Sequence, residues 1–328
     1  MKSLQELHTA LSDPEINGRI FDIRRFSTHD GEGIRTTVFF KGCPLRCVWC
    51  QNPEGLSVKP RPVWFENQCI HCGICVSASM KGGCRLEENT IRLNPEAPED
   101  WDRLIDLCPS TALRMDSRDI YLHGLIEELE KDSVFYRYGG GVTLSGGEPL
   151  MQPDFALALL RELKRRDIHT VVESALNVPS GIVMEAVRWT DTFYADLKLF
   201  DPEDHKRYTG KDNKLILQNI EALLRSEFRD RVIIRTPLIP GITALHENIA
   251  AISGFISGID PDIRYELLNY NPLAKAKYYL TDREFCFKIN PAQFSDDEMK
   301  AFQHTAITQG IKNLISEFQE EKNETVNR

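Results

Sequence analysis

Short apolar runs alternate with longer amphipathic stretches from about residue 139 onward, and the alternation predicts strands separated by helices. Residues 142–144, 170–172, 193–195, 232–235 and 263–268 read as strands, and 37–40 supplies one more ahead of them. Pro153 opens the first helical pattern, where its missing N–H does no harm, with Phe155, Leu159, Leu160 and Leu163 on one face. Further helical patterns cover 182–189, 215–224, 247–256 and 296–307. Six strands divided by helices predict parallel pairing and an α/β fold, a partial (β/α)6 TIM-like barrel rather than a closed eightfold one.

Residues 59–116 break this rhythm with prolines, five cysteines and little helical periodicity, and read as an insert between the first and second βα units. The expected division is therefore 1–58, the start of the barrel; 59–116, the insert; and 117–328, the rest of the barrel. The Glu/Lys-rich tail after Phe318 reads as a solvated end.

Polar motifs recur at one end of the predicted strands. Cys43 follows the first strand, Ser145-Gly146-Gly147-Glu148 the second, and Glu173-Ser174 closes the third. Asp196-Leu197-Lys198, Arg235, and Asn269 with Asn271 take the same place on the fourth, fifth and sixth. Parallel barrels carry their active sites at the carboxyl ends of strands.

Cys43, Cys47 and Cys50 stand in the run KGCPLRCVWC, with no fourth Cys or His close behind. Three thiolates on a four-iron cubane leave one iron open to a small molecule. Structural zinc would want a closed set of four ligands. The glycines of Ser145-Gly146-Gly147-Glu148 allow close approach to the backbone, and Glu148 can accept from an ammonium group; a strand-to-helix turn is the plain alternative. Asp196 and Lys198 share a strand face and can hold ribose hydroxyls and a carboxylate, or simply pair at a barrel rim. Glu173 and Ser174 can line the same pocket. Arg235 can clamp a carboxylate bidentately or serve a structural ion pair. Trp49 can shield the cluster and meet an adenine face, or only pack.

In the insert, Cys69, Cys72 and Cys75 match the first three positions of a bacterial ferredoxin run, but Ser79 stands where the fourth cysteine belongs. Cys108-Pro109 offers a later ligand, by the exchange of fourth ligands seen in two-cluster ferredoxins, and Cys84 is its rival. One auxiliary 4Fe–4S cluster on Cys69, Cys72, Cys75 and Cys108 is the expectation; zinc on these thiols is the alternative. Cys286, between two phenylalanines, reads as a buried small hydrophobe.

Composition narrows the class. The chain has 328 residues, 41% hydrophobic, with a formal net charge of −9, which argues against a broad nucleic-acid or membrane surface. Its nine cysteines do not resemble a small secreted disulfide framework. The start, MKSLQELHTA, lacks the apolar core of a secretory signal, and no apolar run reaches the roughly 20 residues of a membrane span. A reduced, cytoplasmic protein is expected.

The motifs Asp30-Gly31-Glu32-Gly33-Ile34-Arg35, CPLRCVWC, LSGGEPL and ADLK, in that order, resemble the activating enzymes of glycyl radical enzymes, within the radical S-adenosylmethionine superfamily. The likeness runs from about residue 18 to 311. It implies a partial barrel with a ferredoxin-like insert, and S-adenosylmethionine chelating the open iron. It places the ammonium near Gly146, Gly147 and Glu148, and the ribose and carboxylate near Ser174, Asp196, Lys198 and Arg235, with Asn271 at the sixth strand. It further implies reductive cleavage by a flavodoxin or ferredoxin electron, and hydrogen abstraction by the 5′-deoxyadenosyl radical from a glycine of a partner enzyme. Three departures stand out: Glu32 replaces a usual proline, Asn269-Tyr270-Asn271 replaces a PYH run, and one auxiliary cluster is expected where many relatives hold two. Two rivals are a radical S-adenosylmethionine enzyme with another protein or small-molecule target, and a ferredoxin-like electron carrier.

Overall fold

The computed structural model describes residues 16–88, 90–281 and 283–315. The opening MKSLQELHTA and the tail after Phe318 lie outside the described residues. β1 (Asn17–Ser27) and β2 (Arg35–Phe40) come first, then β3 (Pro62–Trp64), β4 (Cys84–Glu87), β5 (Thr90–Leu93) and β6 (Leu113–Met115). β7 (Arg118–Tyr121), β8 (Gly141–Gly146), β9 (Thr170–Ser174), β10 (Thr192–Asp196), β11 (Val232–Pro237), β12 (Arg264–Leu268) and β13 (Asn313–Ile315) follow.

Nine of these form one sheet in the order β13-β12-β11-β10-β9-β8-β2-β1-β7. From β2 through β13 every pairing is parallel, while β1 runs antiparallel to both β2 and β7. The six expected strands correspond to β2 and β8–β12. β1, β7 and β13 were not expected: the sequence of β1, NGRIFDIRRFS, lacks clean alternation, and β7 and β13 are only four and three residues long. The result is a mostly parallel α/β sheet that fits a partial barrel.

Parallel strands are covered on their outer face by the helices that connect them, so each buries an apolar set there. RTTVFF of β2 is buried throughout. The helix Pro153–Arg165 begins at its proline and buries Phe155, Leu159, Leu160 and Leu163 among others. The main core lies between such helices and the sheet; truncating one of these leucines to alanine should cost about 2–5 kcal/mol.

Register brings the strand ends level. Phe40 lies opposite Gly146, Tyr194 opposite Glu173, and Asp196 opposite Arg235. At the other end Arg35 is fully buried. It donates to the Thr143 hydroxyl at 2.7 Å, to the carbonyls of Glu32, Val142 and His169, and lies 3.4 Å from His169 Nδ1. Asp30 closes the same corner by accepting from Thr37 Oγ1 and Thr143 Oγ1. The DGEGIR run therefore plugs the base of the sheet, and Glu32 joins it through its backbone.

Residues 59–116 form two antiparallel pairs, β3 with β6 and β4 with β5, and two short helices, Ile74–Ala78 and Trp101–Asp106. Their small core is Cys84, Leu104 and Leu113, with Cys75 and Cys108 packed against it. Lys41, two residues before Cys43, fastens this segment to the sheet. Its ammonium donates to Asp116 Oδ2 at 2.7 Å and to the Glu54 carbonyl at 2.6 Å, and Asp116 Oδ1 accepts from the Arg61 N–H.

Candidate active site

The three-thiol loop leaves β2 at Gly42, whose φ of 100° suits a residue without Cβ. Backbone bonds hold it on two sides: Gly42 N–H to Gly55 O and Cys43 N–H to Leu56 O, then Arg46 N–H to Thr209 O at 2.7 Å and Val48 N–H to Tyr208 O at 3.1 Å. The second pair ties the loop to the helix Pro202–Thr209. Cys43 and Cys47 are buried and Cys50 is half-buried. They pack with Trp49, Leu56, Ala175, Leu199 and Tyr270 in a second apolar cluster.

Burial raises all three thiols, Cys50 to about 12, with Cys47 adding to the rise at Cys43 and Cys50. The neighbouring Lys198 ammonium pulls Cys47 and Cys50 the other way. Three crowded, desolvated thiols beside a fixed cation make a donor set that favours a soft metal centre in place of their protons. A cubane takes each thiolate on a separate iron.

Gly146 ends β8 and Gly147 follows it into the same corner. A Cβ on Gly146 would lie 2.6 Å from Phe40 N, and one on Gly147 would lie 2.3 Å from Gly42 O. These glycines let the β8 end pack directly on the thiol loop, and Gly147 N–H donates to Phe40 O at 2.8 Å. Glu148 is fully buried. It accepts from Leu150 N, from Ala175 N at 2.7 Å, and from the Ser174 hydroxyl. Both its oxygens and Ser174 are thus engaged with the chain itself, locking the end of β8 to the end of β9. Burial pushes Glu148 up to about 7 against these hydrogen bonds.

A charged line crosses four strand ends. The Ser145 hydroxyl donates to Glu173, Arg235 Nη1 donates to Glu173 at 2.9 Å, and Arg235 Nε lies 3.4 Å from Asp196. Lys198 Nζ donates to Asp196 at 2.7 Å. Burial opposes the ionised forms, yet the pairings win: Asp196 is held below the usual carboxylate range, and Lys198 and Arg235 are raised. Tyr194, one β-period before Asp196, places its ring 4.1 Å beneath the Arg235 guanidinium. That tyrosine was not picked out from the sequence, although period-two alternation from Asp196 points to it.

Trp49 and Asn271 complete the surroundings of the loop. Trp49 is 4% exposed and buried in the same apolar cluster as Cys43 and Cys47. Asn271 is exposed and caps the turn Pro272–Leu280 by accepting from Leu273 N–H. That turn straps the loop: Lys277 donates to Asn52 at 2.7 Å, and the Tyr278 hydroxyl donates to the Val48 and Cys50 carbonyls. Cys286 is half-buried against the same cluster rather than fully buried. In the insert Cys72 is exposed, Cys69, Cys75 and Cys108 are half-buried, and Cys84 is buried.

The family model of the radical SAM superfamily matches residues 37–251. An isethionate sulfite-lyase activating enzyme of Oleidesulfovibrio alaskensis is 38% identical over 283 residues, covering 84% of this chain and 91% of its own. A (2S)-3-sulfopropanediol sulfolyase activating enzyme of Bilophila wadsworthia is 39% identical, covering 83% of this chain and 91% of its own. Among solved structures, a radical SAM methyltransferase from Sphaerobacter thermophilus covers 96% of this chain and 81% of its own, with a TM-score of 0.50 at 12% identity, a likeness of fold alone.

Proposed function

The chain belongs to the radical SAM superfamily and, within it, to the activating enzymes of glycyl radical enzymes; from that premise we propose that it installs the radical on a glycine of a partner enzyme. Cys43, Cys47 and Cys50 would ligate the 4Fe–4S cluster that meets S-adenosylmethionine. When bound, that pair supplies the electron and the 5′-deoxyadenosyl radical that removes the glycine hydrogen. The chain's own residues bind and orient. Lys198 and Arg235 would receive the carboxylate, Asp196 the ribose hydroxyls, and the backbone at Gly146 and Gly147 the amino group. Glu148 and Ser174 hold these strand ends in place, Trp49 closes the underside of the loop, and Asn271 shapes the rim.

The observation that carries this reading is the ion-paired line ending at Lys198, whose charge acts on Cys47 and Cys50. Four polar side chains held in a fixed row beside three thiols suit a zwitterionic nucleoside better than they suit an electron carrier. Residues 59–116 would be a ferredoxin-like unit, holding one auxiliary 4Fe–4S cluster on Cys69, Cys72, Cys75 and Cys108. A flavodoxin or ferredoxin in the cytoplasm would be the reductant, and a sulfolyase of the kind named for the relatives is one partner class to try.

The test uses reconstituted, anaerobic protein with reductant and S-adenosylmethionine. Release of 5′-deoxyadenosine, lost in Cys47→Ala, is expected. Adding a matching glycyl radical enzyme should produce a glycyl doublet in electron paramagnetic resonance. Turnover of a small molecule with no partner protein would overturn the reading.

A further inference from the structure

Between Cys43 and Cys50 the thiol loop turns its carbonyls toward side-chain donors. Arg46 Nη1 donates to the Cys43 carbonyl and, at 2.8 Å, to the Leu45 carbonyl. Arg283 Nη2 donates to the Arg46 carbonyl at 3.0 Å. The Tyr278 hydroxyl lies 3.3 Å from the Val48 carbonyl and 3.1 Å from the Cys50 carbonyl. A phenol has one proton to give, so Tyr278 shares it between the two carbonyls that flank Trp49. The Tyr278 ring is buried and meets Phe285 edge-on, centroids 4.9 Å apart. Burial also raises the phenol, which keeps its proton. Tyr278 and Arg283 reach the loop from 230 and 237 residues away in the chain.

A trans peptide unit points its N–H opposite to its carbonyl. With the Arg46 and Val48 carbonyls turned to Arg283 and Tyr278, the N–H groups of Cys47 and Trp49 point away from those donors. Among the described residues no backbone carbonyl receives either N–H. Against the burial that raises all three thiols, one backbone N–H favours each thiolate: that of Leu45 at Cys43, its own at Cys47, and that of Asn52 at Cys50. The loop is therefore polarised, with carbonyls on donors from the strap and N–H groups on sulfur. A hydrogen bond at one end of a peptide unit strengthens the dipole at the other, and hydrogen bonds to sulfur are a lever on the potential of an iron–sulfur centre. We infer that Tyr278 and Arg283 are positioning residues that set the electron affinity of the three-thiol cluster, by holding the Arg46, Val48 and Cys50 carbonyls outward and leaving the loop's N–H groups for sulfur. This rests on the reading that Cys43, Cys47 and Cys50 ligate the 4Fe–4S cluster.

The test is an anaerobic redox titration of the reconstituted full chain, following the electron paramagnetic resonance signal that Cys47→Ala lacks. Tyr278→Phe removes only the hydroxyl and keeps the ring against Phe285. The expected result is an electron affinity about tenfold lower, a midpoint about 59 mV more negative, with iron and sulfide content unchanged. Arg283→Met should shift the midpoint the same way, and Arg283→Lys by less, because the charge remains. A native or less negative midpoint in Tyr278→Phe would overturn the inference, even in a variant that melts at lower temperature, since that pattern is a structural role alone. If Tyr278→Phe assembles no cluster, the two Arg283 variants decide: a graded shift supports the inference, and native midpoints in both refute it. Iron content and signals that survive Cys47→Ala unchanged would overturn the ligation reading instead.

Discussion

Arg235 reaches across β10 to donate to Glu173 on β9 at 2.9 Å, with the Tyr194 ring of the intervening strand beneath it. Both partners are largely buried. Replacing the cation by a neutral chain strands Glu173 and Asp196 without compensation. Arg235→Met should therefore lower stability by about 3–5 kcal/mol, read from chemical denaturation. Arg235→Lys should retain part of it, since a point charge cannot face two carboxylates in the same planar way.

Glu148 makes stability depend on pH in an unusual direction. Its folded value near 7 lies above the roughly 4.3 of an unfolded chain. Between those values the folded state binds the extra proton, so stability falls as pH rises through the window. Glu148→Gln should thus gain on the native chain between about pH 5 and about pH 8. Urea midpoints at the two ends check this, and a constant gap would contradict it.

The buried Lys41–Asp116 pair joins the insert to the thiol loop. Lys41→Met should cost about 3–5 kcal/mol by leaving Asp116 unpaired, whereas Lys41→Met combined with Asp116→Leu should recover much of that loss. Denaturation of the three chains gives the comparison. Equal losses in the single and the double variant would show that the pair does more than neutralise itself.

Auxiliary ligation is decided by iron counting. If the proposed auxiliary cluster sits on Cys69, Cys72, Cys75 and Cys108, Cys108→Ser should lose about half of the bound iron and sulfide while the Cys43/Cys47/Cys50 cluster remains. Cys84→Ser should keep its iron. Cys84 is buried with Cys75 against the same small core, so the opposite pattern would move the fourth ligand to Cys84.

Much of this protein was legible before folding was considered. The six parallel strands announced themselves as short β-rich runs between helical patterns, and the helix from Pro153 announced itself by its stripe. The three-thiol spacing and the polar residues after each strand pointed to one end of the sheet, since parallel strands send all their carboxyl ends the same way. By itself, then, the sequence determined the chemistry-bearing types and the family.

Tertiary structure alone decided who touches whom. Glu148, offered by the sequence as a residue for a ligand, also accepts from Ser174 and Ala175 across the strand ends. Asn271 becomes a cap, and DGEGIR becomes a plug around Arg35. Tyr194 and Tyr278 enter the site through contacts spanning many residues. The reason is physical: periodicity reports which face a side chain takes. Register, a helix docked on a loop, and a phenol shared between two carbonyls arise only when distant segments are brought together.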